Sequence, residues 1–194
     1  MTKAGSGLSN DHVDRDHVAL LAARAVSDRD AFGELYDLFA VPVFRYCYRR
    51  TGNREAAEDA MSQTFTRAFA AMPRFAGGSF PAWLYTIAHN VVINQARRPS
   101  FVPLPDEDKT IDPSPSPEEA ALIQDERSRI VRLLQRLPDD QRRVVEFRLA
   151  GLTGPEIAEA MGKTLAAVKM LQLRAMRRLR SELVNCEPGG TDAV

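Results

Sequence analysis

Apolar residues recur along this chain at the three- and four-residue intervals of amphipathic helices, with no strand pattern of any length. HVALLAARAV reads as a short helix. Ser27 and Asp30 then form a capping arrangement before AFGELYDLFAVPVFRYCYRRTG, where Phe32, Leu35, Tyr36, Phe39, Val43, Phe44 and Cys47 share helical spacing. Pro42 is expected to kink or divide that helix. Gly52-Asn53 punctuates, and REAAEDAMSQTFTRAFAAM is the next helix. PRFAGG is a loop. SFPAWLYTIAHNVVINQARR gives a long helix with Phe80, Trp83, Leu84, Ile87 and Val91 on one face. RPSFVPLPDEDKTIDPSPSPEE has no apolar period and carries Pro99, Pro103, Pro105, Pro113, Pro115 and Pro117, the composition of an extended linker. Helices return near Glu118, up to Leu137, and again from Pro138 through Ala150. The pattern predicts an all-α chain of two small helical bundles joined by a flexible, Pro-rich, acidic linker.

The last helical segment has a sharper signature. In GLTGPEIAEAMGKTLAAVKMLQLRAMRRLR, Thr153 and Glu156 form a capping box and Pro155 falls in the first turn. Ile157, Ala160 and Met161 make an apolar face, and Gly162 stops the helix. Thr164 caps a second helix reaching about Arg180. Lys163, Lys169, Arg174, Arg177, Arg178 and Arg180 give this segment its charge, with no acid before Glu182. Helix, glycine turn and basic second helix are what a helix-turn-helix needs to enter a DNA major groove. A helical wheel places Leu165, Val168, Gln172, Ala175 and Leu179 inward. Ala166, Met170, Arg174 and Arg177 face out, flanked by Lys169 and Arg178. With Lys163, Thr164 and Ala167 of the helix start, these are the candidate duplex contacts. Met170 suits thymine methyls or the reading of DNA shape better than polar readout.

Charge sharpens this picture through its distribution. The 194 residues hold 26 basic and 26 acidic side chains, so no global positive field marks a nucleic-acid binder. Asp106, Glu107, Asp108, Asp112, Glu118 and Glu119 concentrate the acid in the middle instead. No apolar run is long enough for a membrane span, and MTKAGSGLSNDHVDRD lacks the apolar core of a signal peptide. Cys47 and Cys186 have no metal-ligand spacing and suit a reducing cytoplasm. No phosphate loop, Cys/His cluster or nucleophile motif suggests an enzyme, and no cofactor is implied. In the first bundle Phe75, Phe80, Trp83 and Tyr85 cluster with Arg74, Arg97 and Arg98, a composition suited to stacking on unpaired bases. Phe80 and Trp83 fit the apolar face, so Tyr85 and the loop are the better candidates.

Two blocks carry a family resemblance. NREAAEDAMSQTFTRAFAAMPRFAGGSFPAWLYTIAHNVVINQARR resembles region 2 of a sigma-70 family factor. LPDDQRRVVEFRLAGLTGPEIAEAMGKTLAAVKMLQLRAMRRLR resembles region 4. Only a linker lies between them, which is similar to the compact extracytoplasmic-function (ECF) class. The resemblance implies a non-enzymatic promoter-specificity subunit in the cytoplasm. It implies contacts with the clamp and flap of core RNA polymerase, with promoter DNA, and with an anti-sigma factor. Glu58, Asp59 and Phe65 match the polymerase-docking pattern of region 2. Ser62 and Gln63 stand where glutamine and an acid are usual. Arg74, Phe75, Gly77, Gly78 and Ser79 match the loop that receives a flipped −10 base. Asn90, Arg97 and Arg98 match positions near DNA on the following helix. The outer face of the second helix-turn-helix helix would read the −35 element.

The expected organisation is an N-terminal tail (1–15), a region 2-like domain (16–98), a linker (99–118), a region 4-like domain (119–184) and a tail (185–194). Two other readings remain open from the residues: a stand-alone helix-turn-helix regulator that binds duplex DNA as a dimer, and an adaptor that binds protein only.

Overall fold

The computed structural model describes residues 14–96 and 129–185, and these are helices, turns and loops with no strand among them. The expected linker, residues 119–128 of the expected second bundle, Arg97, Arg98 and Cys186 lie outside the described residues.

Helix α1 (Arg15–Ala25) starts inside the segment expected to be a tail, because Asp14 caps it by accepting from the Asp16 and His17 amides. Helix α2 (Arg29–Thr51) is capped by Asp28, one residue beyond the expected Ser27, and the Asp28 carboxylate accepts from Asp30 N at 2.9 Å. Pro42 does not divide α2. The turns on either side are held by Phe39, Val43 and Tyr46, all buried in the core, and this packing outweighs one missing amide donor. Asn53 caps helix α3 (Arg54–Ala71) by accepting from Ala56 N at 2.8 Å. The buried face of α3 is mostly small, with Ala57, Ala60, Thr64 and Ala68 beside Phe65, which lets α2 lie against it. A short 3-10 turn (Met72–Arg74) leads into the glycine loop. Ser79 then opens helix α4 (Phe80–Ala96), its hydroxyl accepting from Ala82 N at 3.3 Å.

The second bundle begins, among the described residues, with helix α5 (129–135). Helix α6 (Asp139–Leu149) follows Pro138 and carries Asp139 and Asp140 in its first turn, where acids favour the positive end of the helix dipole. Helix α7 (Gly154–Met161) has the predicted capping box. Thr153 Oγ1 accepts from Glu156 N, and Thr153 N donates to Glu156 Oε2 at 2.6 Å. Gly162 ends α7 at φ 60°, a left-handed conformation that glycine adopts without the clash of a Cβ. Helix α8 (Leu165–Asn185) starts with Thr164 Oγ1 accepting from Ala167 N at 3.2 Å. Thr153→Ala should lower the stability of the α7–α8 unit by about 0.5–2 kcal/mol, the ordinary cost of a lost N-cap. Urea unfolding of the full chain with and without the substitution measures it; no shift in midpoint would mean that Glu156 alone suffices at this end.

The two bundles dock directly. Val144, Phe147, Leu152, Ile157, Ala160 and Val168 of the second belong to the same buried apolar cluster as the core of α1–α4. Leu134, Leu137, Val145 and Ala175 form a separate, smaller cluster between α5, α6 and α8. The expectation of two blocks held together by a linker alone is therefore incomplete: side chains join them.

Candidate nucleic-acid and protein interfaces

On α8 the inward side is as the wheel predicts at Val168 and Ala175, which are buried, with Gln172 and Leu179 half-buried. Leu165 departs from it and is 40% exposed. It sits at the first position of α8 over Gly154, where a Cβ would meet its Cδ1 at 2.9 Å, and the rest of its surface faces solvent. Thr164, Ala166, Lys169, Met170, Arg174, Arg177 and Arg178 are exposed, and Ala167 is half-exposed. Lys163 pairs with Asp140 at 3.1 Å. No described residue forms an ion pair with Lys169, Arg174, Arg177 or Arg178. One face of α8 thus presents unpaired cations around Ala166 and Met170. Its angle to α7 is fixed by the Gly162 turn, where Lys163 N donates to Ala158 O at 2.9 Å.

The glycine loop lies at the far end of the first bundle's core. Phe75 is half-buried, tilted against Trp83 with ring centroids 5.2 Å apart and edge-on to Phe80 at 6.1 Å. Arg74, Gly77 and Gly78 are exposed, and both glycines have φ near +90°. Asn90 is exposed on α4. Tyr85, expected with the loop as a stacking surface, departs from that expectation: it is fully buried, edge-on to Tyr46 at 5.5 Å and to Phe147 at 5.8 Å. Its ring becomes a surface only if α6 leaves it. The loop itself is occupied: Ser79 N donates to Glu159 Oε1 at 3.2 Å and Ser79 Oγ to Glu156 Oε1 at 3.2 Å.

A third surface lies between α2 and α3. An open groove of about 700 Å³ is lined by Tyr36, Ala40, Val41, Phe44, Arg54, Glu58, Met61, Ser62, Phe65 and Thr66. Its floor is apolar. Phe65 is buried edge-on against Tyr36 at 4.7 Å, and the rim carries the Arg54–Glu58 ion pair at 2.9 Å. Of the expected docking residues, Glu58, Ser62 and Phe65 line the groove. Asp59 is exposed and Gln63 half-buried on α3, and neither lines it. Tyr36 and Phe44, which share helical spacing with the core residues of α2, line the groove with Val41 instead; Tyr36 at 40% and Val41 at 53% exposure are large apolar side chains turned to solvent.

The docked interface also holds buried polar groups whose partners lie far apart in the sequence. Glu146 is fully buried, accepting from Arg50 Nη1 at 3.1 Å and Arg142 Nε at 2.7 Å. Burial pushes its carboxyl above the ordinary value, against the pull of those arginines. Glu156 is also buried, yet the hydrogen bonds from Arg15 and Thr153 outweigh that and hold its carboxyl below the usual range. The Tyr46 hydroxyl lies 3.1 Å from His89 Nδ1. Burial, with Arg143 and Arg50 nearby, depresses the His89 imidazole to about 4, and burial pushes the Cys47 thiol up to about 12.

Two compact helical units, one with an apolar groove and a glycine loop and one with a helix-turn-helix, define the class to which the chain compares. Residues 35–101 match the family model of sigma-70 region 2, and residues 127–179 match that of sigma-70 region 4. The chain is 36% identical over 166 residues to the ECF RNA polymerase sigma factor BldN of Streptomyces coelicolor, covering 82% of this chain and 63% of BldN. It is 32% identical over 176 residues to the ECF RNA polymerase sigma factor SigD of Mycobacterium tuberculosis, covering 86% of this chain and 83% of SigD. Among solved structures it superposes on CnrH in complex with the cytosolic domain of CnrY, with a TM-score of 0.71 at 24% identity, covering 89% of this chain and all of that one. It also superposes on RpoE in complex with the anti-sigma factor NepR from Bartonella quintana, with a TM-score of 0.57 at 22% identity, covering 80% and 98%. The two structural likenesses are of fold. The chain belongs to the sigma-70 family, in its ECF sigma factor class.

Proposed function

We propose that the protein is a promoter-specificity subunit: it binds core RNA polymerase, brings it to a subset of promoters and helps to open them. The observation that carries this reading is the separation of three surfaces of different chemistry on one small chain. The α2–α3 groove, apolar with Glu58 on its rim, suits a polymerase helix carrying apolar and basic residues. Phe75 and Trp83 beside Arg74 and the Gly77–Ser79 loop suit an unstacked base of the −10 element. The outer face of α8 suits the −35 major groove, with Arg174 the best-placed reader. Asn90, Arg97 and Arg98 complete the −10 surface in this reading, and the flap of the polymerase would hold the second bundle. The chain itself performs no bond chemistry, and it works in the cytoplasm. No helix among the described residues is long and apolar enough to cross a membrane. An anti-sigma protein that competes for the α2–α3 groove is the expected inhibitor; the fold neighbour RpoE was solved in complex with the anti-sigma factor NepR.

Run-off transcription with purified core polymerase on a promoter library tests the reading. Promoter-selective transcripts are expected only when the protein is added. Specific duplex binding by the free protein with no effect on polymerase would support the stand-alone regulator instead. Arg174→Ala should cost about 1–3 kcal/mol of recognition at one −35 position if the guanidinium reads a base edge. A loss equal across all sequences would make it a phosphate contact. Unchanged promoter use would place the reading face elsewhere on α8.

A further inference from the structure

We infer that the N-terminal half of α8 reads thymine by its methyl group, with Met170 as the specificity-determining residue and Ala166 and Leu173 completing an apolar reading strip. The inference rests on the reading of α8 as the −35 helix. Ala166, Met170 and Leu173 recur at four- and three-residue intervals, so they share one helix face. Val168 and Ala175 are buried on the opposite side of the helix. The strip is therefore the outermost line of α8, the line that goes deepest when the helix lies in a major groove. It is open: Met170 is 49% exposed and Leu173 44%. Lys169 and Arg174 flank it, one on each side, and no described residue forms an ion pair with either. Arg177 continues the same line one turn further, so the apolar character is confined to the half that enters the groove. An apolar line between cations matches the groove in cross-section, with base edges on the floor and phosphates along both walls.

The polar side chains at the start of α8 are already engaged. Thr164 Oγ1 accepts from Ala167 N at 3.2 Å as the N-cap, and Lys163 Nζ lies 3.1 Å from Asp140. Ala166 and Ala167 add no polar atom and little bulk, so the backbone can come close to base edges. Of the four bases, thymine alone presents a methyl group in the major groove, at C5. Ala166, Met170 and Leu173 offer no hydrogen bond with which to select a base, but they can bury a methyl. Met170 is unbranched and its thioether is polarisable, so it adapts its shape to a small apolar group. The chemical class recognised is thus a 5-methylpyrimidine in the −35 duplex, which covers thymine and 5-methylcytosine alike.

Base-analogue substitution in a promoter selected by the full chain with core polymerase tests this. Each thymine of the −35 element, on either strand, is replaced in turn by deoxyuridine, which lacks only the methyl. At the position that meets Met170, initiation at limiting protein should fall about fourfold, the value of one buried methyl group. Met170→Ala changes an exposed position to the best helix former, so the fold is kept. This variant should initiate on the thymine template as weakly as the wild type does on uracil, and should not distinguish the two. Met170→Leu, still large and apolar, should distinguish them. Cytosine at the same position should gain about fourfold on 5-methylation with the wild type and nothing with Met170→Ala. Uracil as good as thymine at every position overturns the inference. So does a loss with Met170→Ala that is equal on all templates while thymine is still preferred to uracil; the strip is then a contact for protein. If no promoter is selected with core polymerase, the sigma reading fails. Thymine and uracil forms of duplexes chosen by the free protein from a random pool then decide the methyl contact by binding, with the same fourfold difference expected and its absence overturning the inference.

Discussion

Phe147→Ala should separate the two bundles. Phe147 is fully buried, and its ring lies against Tyr46 at 5.7 Å, Tyr85 at 5.8 Å and His89 at 6.3 Å, all on the first bundle. From its own helix it has the Arg143 guanidinium over its face at 5.3 Å. The ring is therefore a knob of α6 in an aromatic socket of α2 and α4. Truncating a buried phenylalanine costs about 3–5 kcal/mol through lost burial and an unfilled cavity. Most of that loss falls on docking, because the contacts of the ring cross the interface. Calorimetry of the full chain should change from one cooperative transition to two, with hydrogen exchange in α6 faster than in the wild type. A single transition at an unchanged midpoint would show that the charged ends of the interface hold the bundles without the knob. Tyr85 should become accessible in the variant, which an aromatic-solvent quenching experiment reads directly.

That socket explains what the sequence could and could not convey. The helix-turn-helix was legible almost residue by residue. Thr153, Glu156, Gly162 and Thr164 act within one turn of the backbone groups they cap, so their roles are local. Val168 and Ala175 follow from period alone. Pairing between Phe147 and Tyr85, or between Glu146 and Arg50, joins positions far apart in the chain, and no local pattern encodes it. The burial of Tyr85 is not legible for that reason: on α4 alone it lies outside the obvious apolar face, and Tyr46 of α2 and Phe147 of α6 cover it. One signal was available. Val144, Val145, Glu146 and Phe147 are consecutive and all buried, so α6 is covered on more than one side. Val144, Val145 and Phe147 put apolar side chains on more than one side of a short helix, which points to packing between two partners, here α8 with α5 on one side and the first bundle on the other. The groove was half legible. The acidic α3 pattern drew notice to Glu58 and Phe65, but the α2 wall needs Pro42 not to break the helix, and tertiary packing decides that.

Stability should fall steeply as the pH drops from about 6.5 towards 4, and His89 should account for most of that slope. His89 is only 7% exposed, and its Nδ1 lies 3.1 Å from the Tyr46 hydroxyl, which burial keeps protonated and which donates to Nδ1 when the neutral ring carries its proton on Nε2. Burial disfavours the imidazolium, and Arg143 and Arg50 add to this, with Asp139 and Asp140 giving partial relief. The imidazole therefore titrates near 4 in the folded chain against an ordinary 6.5. A depressed folded value means that the unfolded chain binds more protons between these two pH values. The contribution of His89 to stability is then fully present above pH 6.5 and is lost as the pH falls through 4. The difference corresponds to about 3 kcal/mol at most. His89→Gln keeps an acceptor for the Tyr46 hydroxyl and cannot titrate. Urea unfolding at pH 7.5, 6 and 4.5 should show the wild type losing stability relative to the variant by about 2–3 kcal/mol. Glu156 and Asp28, whose carboxyls are held low, contribute equally to both proteins, so the difference between the two curves isolates His89. Parallel curves would mean that the imidazole meets water in the folded protein, and with it that α6 does not rest on α4 in solution.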